Sequence, residues 1–366
     1  MSQTPIPYLF MRGGTSRGPY FNRADLPQDT DQLAKVLVSA LGSGHPLNID
    51  GIGGGNAVTT KVAMLSKSTD PWADIDYFFA QVSVEDGLVD FKPTCGNILS
   101  GVASAAIEMG LYPASKGETS LRIRAVNTGA EILAKGQTPN GLISYAGEAV
   151  IDGVPGSAAP VELNFMKVAG SSTGTFLPTG NVTDKIDGMN VTCMDVAMPM
   201  VIARAEGFGL TGYETRDELD ANTAFFERME AIRIKSGAAM GMGDVRKSVT
   251  PKFGLLAPAR QGGSVATRYF MPWKTHPTMA VTGSQCLASC VLTPGTVADG
   301  LVKRPAHSPA KITLEHPMGL MDVLVDYQLN GDEFEHKSAG LIRTCRKIAQ
   351  GQIFIPSEVW DGRTRR

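Results

Sequence analysis

Two periods of apolar and polar residues alternate along this chain. Leu33, Val36, Leu37, Ala40 and Leu41 recur at helical spacing, with Gly42 as a stop. Around them the period drops to two. Residues 6–21 read as strand, glycine turn, strand, and residues 59–65 read as one strand. Ile75, Tyr77 and Phe79 alternate into an Asp86-Gly87 turn, and residues 88–91 return as a hairpin partner. The stretch 94–110, TCGNILSGVASAAIEMG, then turns helical: Ile98, Val102, Ala105, Ala106 and Met109 share one face, and Gly110 ends it. Strands dominate 119–170.

Turn formers crowd 169–190 and predict a connection between domains. Beyond it, an apolar strand is expected around 191–203. Thr215 and Glu218 form a capping box, with Leu219, Phe226, Met229 and Ile232 continuing that helix. Met240-Gly241-Met242-Gly243-Asp244 is a second glycine-rich turn, and strands are expected near 252–258 and 264–271. Residues 276–296 echo the 94–110 stretch, with Thr282-Gly283-Ser284 lying over Cys95-Gly96-Asn97. Two similar domains follow from that echo. Near the end, Ala339, Ile342, Cys345 and Ala349 suggest a helix capped by Gly351, residues 353–356 a last strand, and residues 363–366 a frayed tail.

A chain of 366 residues exceeds one small core and suits two domains. A net charge of −2 gives no field for nucleic acid or an anionic membrane. Five scattered cysteines form neither a disulfide framework nor a zinc motif, which points to a reducing compartment. With no signal-like segment and no apolar run of membrane-spanning length, the expectation is a soluble, cytoplasmic protein.

Four stretches carry candidate chemistry. Cys95 stands at or before a helix N-terminus, where free N–H groups and the helix dipole favour a thiolate and attract anions. A buried structural cysteine fits the same letters. Arg12, Thr15, Ser16 and Arg17 crowd one turn and suit a carboxylate, though a solvated hairpin would look alike. Gly53-Gly54-Gly55 brings backbone close to a ligand or makes a mobile loop. It fails the dinucleotide and P-loop patterns. Lys61 enters an apolar strand just after it and is either a desolvated base or an outward edge lysine. Cys286 and Cys290 read as buried.

The motifs MRGGTSRGPYF (11–21), IDGIGGG (49–55), TTKVAML (59–65), CGNILSGV (95–102), GVPGSAAPVELNF (153–165), LPTGN (177–181), MGMGDV (240–245), HPTMAVTGSQCLAS (276–289) and RTCRKIAQGQIFIP (343–356) resemble the PrpF family, in order and through nearly the whole chain. The resemblance implies an α+β fold like that of diaminopimelate epimerase. Its two similar domains are each a mixed, mostly antiparallel sheet wrapped around a central helix, with the active site in the cleft between them. The expected domains are 1–185, carrying Lys61 and Cys95, and 186–366, whose last segment packs back on the first.

The resemblance also implies isomerisation of small unsaturated di- and tricarboxylates by a 1,3-allylic proton shift, with no metal or organic cofactor. Lys61 and Cys95 fall on the catalytic lysine and cysteine. Thr282 takes the place of the second cysteine of diaminopimelate epimerase, which argues against a two-thiol racemase. Arg12, Thr15, Ser16, Arg17, Gly54, Gly55, Gly96, Asn97, Thr282, Gly283 and Ser284 are the implied substrate-binding set. IDGIGGGNAVTTKVA and MGMGDVRKSV are more similar to the 4-oxalomesaconate tautomerase branch, which serves bacterial breakdown of lignin-derived aromatics through gallate or protocatechuate. The alternatives are 2-methylaconitate or aconitate isomerisation and, from another class, a non-catalytic carboxylate-binding protein. No nucleic-acid or membrane partner is expected; the oligomeric state stays open, with a homodimer as the candidate assembly.

Overall fold

In a computed structural model, residues 3–331 and 333–362 are described. The chain divides into two units, Met1–Leu163 with Ile342–Arg366, and Asn164–Leu341. The sequence pattern predicts the change at 185/186 and the connection at 169–190. The tail at 363–366 lies outside the described residues.

Unit 1 starts with β1 (Gln3–Gly13) and β2 (Ser16–Asn22), followed by α1 (Thr30–Leu41). Asp29 caps α1 through a bond from Gln32 N–H, and Gly42 ends it at φ 68°. Next come β3 (Lys61–Lys67), β4 (Ile75–Val82), a two-residue β5 (Val89–Asp90), α2 (Gly96–Leu99) and α3 (Val102–Glu108), β6 (Gly117–Ala125) and β7 (Ala130–Thr138). β8 (Pro160–Met166) runs across the unit boundary. β1 pairs antiparallel with β2, β2 parallel with β3, β3 antiparallel with β4, β4 parallel with β6, and β6 antiparallel with β7. Leu33, Val36, Leu37, Ala40 and Leu41 of α1 pack against Val62 and Met64 of β3 and Ala80 and Val82 of β4. The stripe read from sequence is therefore a core face.

Unit 2 repeats this plan. It runs β9 (Asp184–Ile186), β10 (Met189–Asp195), β11 (Pro199–Arg204), α4 (Arg216–Asp220), α5 (Thr223–Ala239), β12 (Lys252–Pro258), β13 (Val265–Phe270), α6 (Val281–Leu292), β14 (Ala310–His316) and β15 (Gly319–Asn330). From β10 to β15 the pairings again alternate antiparallel and parallel. Helices interrupt at the same two places, α5 where unit 1 has α1, and α6 where it has α2 and α3. α6 is buried along nearly its whole length, a central helix among strands. The α+β class and the two-fold repetition read from the sequence describe this topology.

Three local expectations fail. The 339–351 helix is part of a 24-residue strand, β16 (Glu333–Pro356). Its first part pairs with β15 and its second with β1. Ala349 is exposed, so the helical spacing there marks no buried face; strand pairing overrides it. The single strand at 191–203 is a hairpin, β10–β11. The Thr215 capping box is real, but its helix stops at Asp220, and Asn222 caps α5 afresh through Phe225 N–H. The turn-rich stretch at 171–173 is tied down by one carboxylate. Asp195 is fully buried and accepts bonds from Ser172 N (2.8 Å), Thr173 N (2.7 Å), Thr173 Oγ1 (2.9 Å) and Ser171 Oγ (3.3 Å).

Among the described residues no helix is long and apolar enough to cross a membrane. Removing the carboxylate at Asp195 strands several donors in a dry place. Asp195→Ala is expected to cost about 2–4 kcal/mol, read as a lower urea midpoint. An unchanged midpoint would show that the loop holds without it.

Candidate functional site

The residues singled out in unit 1 converge on the start of α2, and glycines make that convergence possible. A Cβ on Gly13 would sit 2.5 Å from Asn97 O and 2.8 Å from Tyr20 Oη; one on Gly14, at φ 52°, would sit 2.2 Å from Asn97 Oδ1. The β1–β2 turn therefore rests directly on Asn97, whose Oδ1 accepts Thr15 N–H at 3.4 Å. From below, buried Tyr20 donates its hydroxyl to Ile98 O at 2.5 Å. Gly101 leaves room for that phenol: a Cβ there would lie 2.4 Å from Tyr20 Oη.

Lys61 is placed by a close backbone approach at Gly18. A Cβ on Gly18 would lie 1.7 Å from Lys61 O, so only glycine allows β2 to meet β3 at that point. Lys61 is half-buried at the first position of β3, with its Nζ 5.5 Å above the Phe79 ring. It forms no ion pair among the described residues. A cation over a ring face gains some attraction from the ring's electron-rich face. Phe79 packs on Tyr77, ring centroids 6.3 Å apart, and Tyr77 donates its hydroxyl to Cys95 O at 3.3 Å. These two buried rings form a wall from the lysine to the cysteine.

Cys95 is the N-cap of α2, with extended backbone and no side-chain cap bond. Its own carbonyl accepts Leu99 N–H at 2.9 Å, so Gly96 and Asn97 lie in the first turn, where N–H groups have no partner within the helix. A side chain on Gly96 would meet nothing within 4 Å, so open space lies over the helix start. Cys95 is half-exposed, whereas Cys193, Cys286, Cys290 and Cys345 are buried. Burial pushes the Cys193 and Cys290 thiols up to about 12, and raises Cys286 and Cys345 as well. These four are inert at neutral pH.

The cations of the turn divide. Arg12 is half-buried and donates through Nη1 to Gly14 O (2.9 Å), Thr344 O (3.0 Å) and Thr344 Oγ1 (3.0 Å). It is at least in part a strut between the turn and β16. Arg17 is exposed, stands 5.6 Å over the Phe10 ring, and makes no ion pair among the described residues. Its Nη2 occupies the space of a Gly54 Cβ, 2.7 Å from where that atom would be, so the glycine loop is a seat for this guanidinium. Gly55 follows at φ 66°. Ser16 is buried and Thr15 exposed.

Asn127 was missed. It looks like an ordinary turn former between β6 and β7. Its Oδ1 accepts Phe79 N–H (2.9 Å), and its Nδ2 donates to Phe79 O (2.8 Å) and Phe91 O (2.6 Å). It thus clamps the ring beneath Lys61 to the segment that leads into Cys95. No local pattern could reveal this, because its partners lie 48 and 36 residues away.

In unit 2, Thr282 is the second residue of α6, whose N-cap is Ala280. It sits inside the first turn, where Cys95 sits at a cap. Its hydroxyl is 3.9 Å from Met198 Sδ. Gly283 is needed for packing, since a Cβ would lie 2.3 Å from the Tyr269 ring. Ser284 offers nothing outward: it is fully buried, its N–H donates to Ala280 O (2.8 Å), and its hydroxyl donates to Val281 O (2.8 Å). The expectation that its N–H binds substrate is corrected accordingly. Among the described residues no group of three or more His, Cys, Asp or Glu could hold a metal ion.

Comparison with known proteins gives a consistent picture. The family described as PrpF protein matches residues 3–356. A (4E)-oxalomesaconate Delta-isomerase from Novosphingobium sp. is 44% identical over 349 residues, 95% of this chain and 97% of that one. A 4-oxalomesaconate tautomerase from Pseudomonas putida is 43% identical over 365 residues, 99% of each. The crystal structure of a methylitaconate-delta-isomerase is similar with a TM-score of 0.88 and 31% identity, covering 98% of this chain and 97% of that one.

The burial contrast among the thiols gives a direct check. Brief iodoacetamide treatment of the native protein should alkylate Cys95 alone, and all five cysteines only after denaturation. Labelling of a second cysteine in the native protein would contradict the burial described above.

Proposed function

The chain belongs to the PrpF protein family and is an isomerase, and from that premise we propose that it catalyses a 1,3-allylic proton shift on 4-oxalomesaconate. The observation that supports this reading is the pairing of a half-buried, unpaired Lys61 with a half-exposed Cys95 at the two ends of the Tyr77–Phe79 wall. Two proton-exchanging groups on one wall suit a reaction that removes a proton at one carbon and returns one two carbons along. The full-length identity to the two oxalomesaconate enzymes favours that acid as substrate.

In this proposal Lys61, as its free amine, takes the allylic proton and becomes an ammonium. The electron pair moves into the conjugated carbonyl, giving a dienolate. Cys95 gives its thiol proton to the distal carbon, the double bond shifts, and the lysine proton returns to the thiolate through solvent. The charge that develops on oxygen is stabilised by groups already in place, which is commonly the main source of rate enhancement in such catalysis. First-turn N–H groups of Gly96 and Asn97 and the Arg17 guanidinium supply it in unit 1. The product enters the breakdown of lignin-derived aromatics in this reading. The methylitaconate-delta-isomerase likeness favours a second reading, in which a smaller branched unsaturated diacid is shifted by the same residues.

The test is ultraviolet absorbance after mixing the enzyme with 4-oxalomesaconate tautomers, beside cis-2-methylaconitate, cis-aconitate and methylitaconate, repeated in D₂O under NMR. Conversion of oxalomesaconate with deuterium at the allylic carbon is expected. Reaction of another acid instead would move the substrate and keep the chemistry, and no exchange with any of them would sink the proposal. Lys61→Met should abolish turnover in a folded protein. Cys95→Ser should lower kcat by roughly 10²–10⁴-fold, and near-normal rates in either variant would remove that residue from the mechanism.

A further inference from the structure

One edge of β4 is paired by two strands that do not meet. β3 covers the whole of the other edge from Ile75 to Gln81. On the remaining edge β6 runs beside Ile75, Asp76 and Tyr77 and ends there at Ala125, while β5 lies beside Gln81 and Val82. Phe79 falls in the gap, with no strand opposite it on that edge.

The Asn127 side chain fills this gap. Its Oδ1 accepts Phe79 N–H (2.9 Å), and its Nδ2 donates to Phe79 O (2.8 Å). A carboxamide carries the donor and the acceptor of a peptide group, so one side chain stands in for one residue of missing strand. Nδ2 also donates to Phe91 O (2.6 Å), just past the end of β5. Asn127 is itself held by its neighbours. Val126 N–H donates to Tyr77 O (2.9 Å), and Thr128 N–H (3.2 Å) and Gly129 N–H (2.8 Å) both donate to Ala125 O.

The two backbone groups that this amide ties together lead to the two proton-exchanging side chains. Lys61 pairs across the sheet with Gln81 and Ala63 with Phe79, so the Phe79 ring is the lysine's diagonal neighbour on one face. From Phe91 only Lys92, Pro93 and Thr94 precede Cys95. The Phe91 ring is anchored as well, stacked on Phe78 with centroids 5.3 Å apart. All of these residues belong to unit 1.

We propose that Asn127 is a positioning residue of this isomerase: by closing the gap in the β4 edge, it fixes the separation of Lys61 and Cys95 that a proton shift across an allylic system requires. The assignment rests on the allylic isomerase reading, and Asn127 acts through Phe79 and Phe91. Without the clamp, Lys61 still takes the allylic proton and the dienolate still forms. Delivery from Cys95 to the distal carbon slows, because proton transfer between misplaced groups loses rate steeply. The lysine ammonium then returns a proton to the original carbon, which restores the substrate. In D₂O the ammonium hydrogens exchange with solvent, so the recovered substrate carries deuterium.

The experiment compares wild type, Asn127→Ala and Asn127→Asp, each checked for folding by circular dichroism. The substrate is 4-oxalomesaconate, or whichever of the other acids named above the wild type converts. After partial conversion in D₂O, NMR gives deuterium in the recovered substrate and absorbance gives product. Asn127→Ala should lower kcat about ten- to a hundredfold with KM little changed, and raise the ratio of exchange to isomerisation. Brief iodoacetamide treatment should also alkylate Cys95 faster in Asn127→Ala than in wild type. Asn127→Asp keeps the bond from Phe79 N–H and loses the two that Nδ2 donates, so it should fall between; it carries the test if Asn127→Ala does not fold. Near-wild-type kcat in a folded Asn127→Ala, exchange and isomerisation falling in proportion, or an unchanged rate of Cys95 alkylation would overturn the assignment and leave the proposed function standing. A wild type that isomerises none of the acids overturns both.

Discussion

The contact on which the candidate site depends is between backbone and backbone. β2 passes so close to the first residue of β3 that Gly18 has no room for a Cβ. A few residues away the same hairpin turn lies on Asn97 and Ile98 through Gly13 and Gly14, with the Tyr20 phenol filling the space beneath. Strand pairing alone would bring β2 beside β3. It is the missing side chains that let the lysine strand, the arginine turn and the cysteine helix meet at one place. Substitution at any of these glycines would push apart the elements that carry Lys61, Arg17 and Cys95.

The second unit shows what the fold requires and what the chemistry has changed. The alternation of parallel and antiparallel pairings, the two helix insertions and the lysine at the start of the third shared strand are all kept. At the inner helix the units diverge. Unit 1 ends its inner helix after four residues at Leu99, resumes at Val102, and holds a thiol at the cap. Unit 2 has one 12-residue helix, capped by Ala280, with the Thr282 hydroxyl at its second residue. A thiol can exchange a proton near neutral pH and a hydroxyl cannot, so the two helix starts present side chains of different chemical kind.

Legibility in the sequence followed the range of the interaction concerned. α1, the Thr215 capping box and the β1–β2 hairpin are set by residues within one or two turns of each other, and the pattern showed them. So did the cysteine at a helix start, because its signals are adjacent letters. β16 was mistaken for a helix because its identity depends on β15 and β1, and β1 lies more than 300 residues away. Asn127 and the Arg12–Thr344 strut were hidden for the same reason. Ser284 was misjudged for a smaller one: α6 starts two residues earlier than its echo of α2 suggests, which turns a free N–H into an intrahelical one.

The long last strand carries a consequence for how the molecule is made. Unit 1 is discontinuous in sequence, completed only by Ile342–Arg366, whereas unit 2 is one unbroken segment. Translation proceeds from the N-terminus, so the unit begun first is finished last. Until the final residues emerge, β1 presents one unpaired edge, and the apolar cluster under α1 lacks Ile355 and Trp360. Open edges and incomplete cores are what chaperones recognise in nascent chains. A nascent chain that has emerged as far as Leu341 holds the whole of unit 2 and a unit 1 that still lacks Ile342–Arg366. Premature termination there would leave the unit that carries Lys61 and Cys95 without the second partner strand of β1, with neither codon touched.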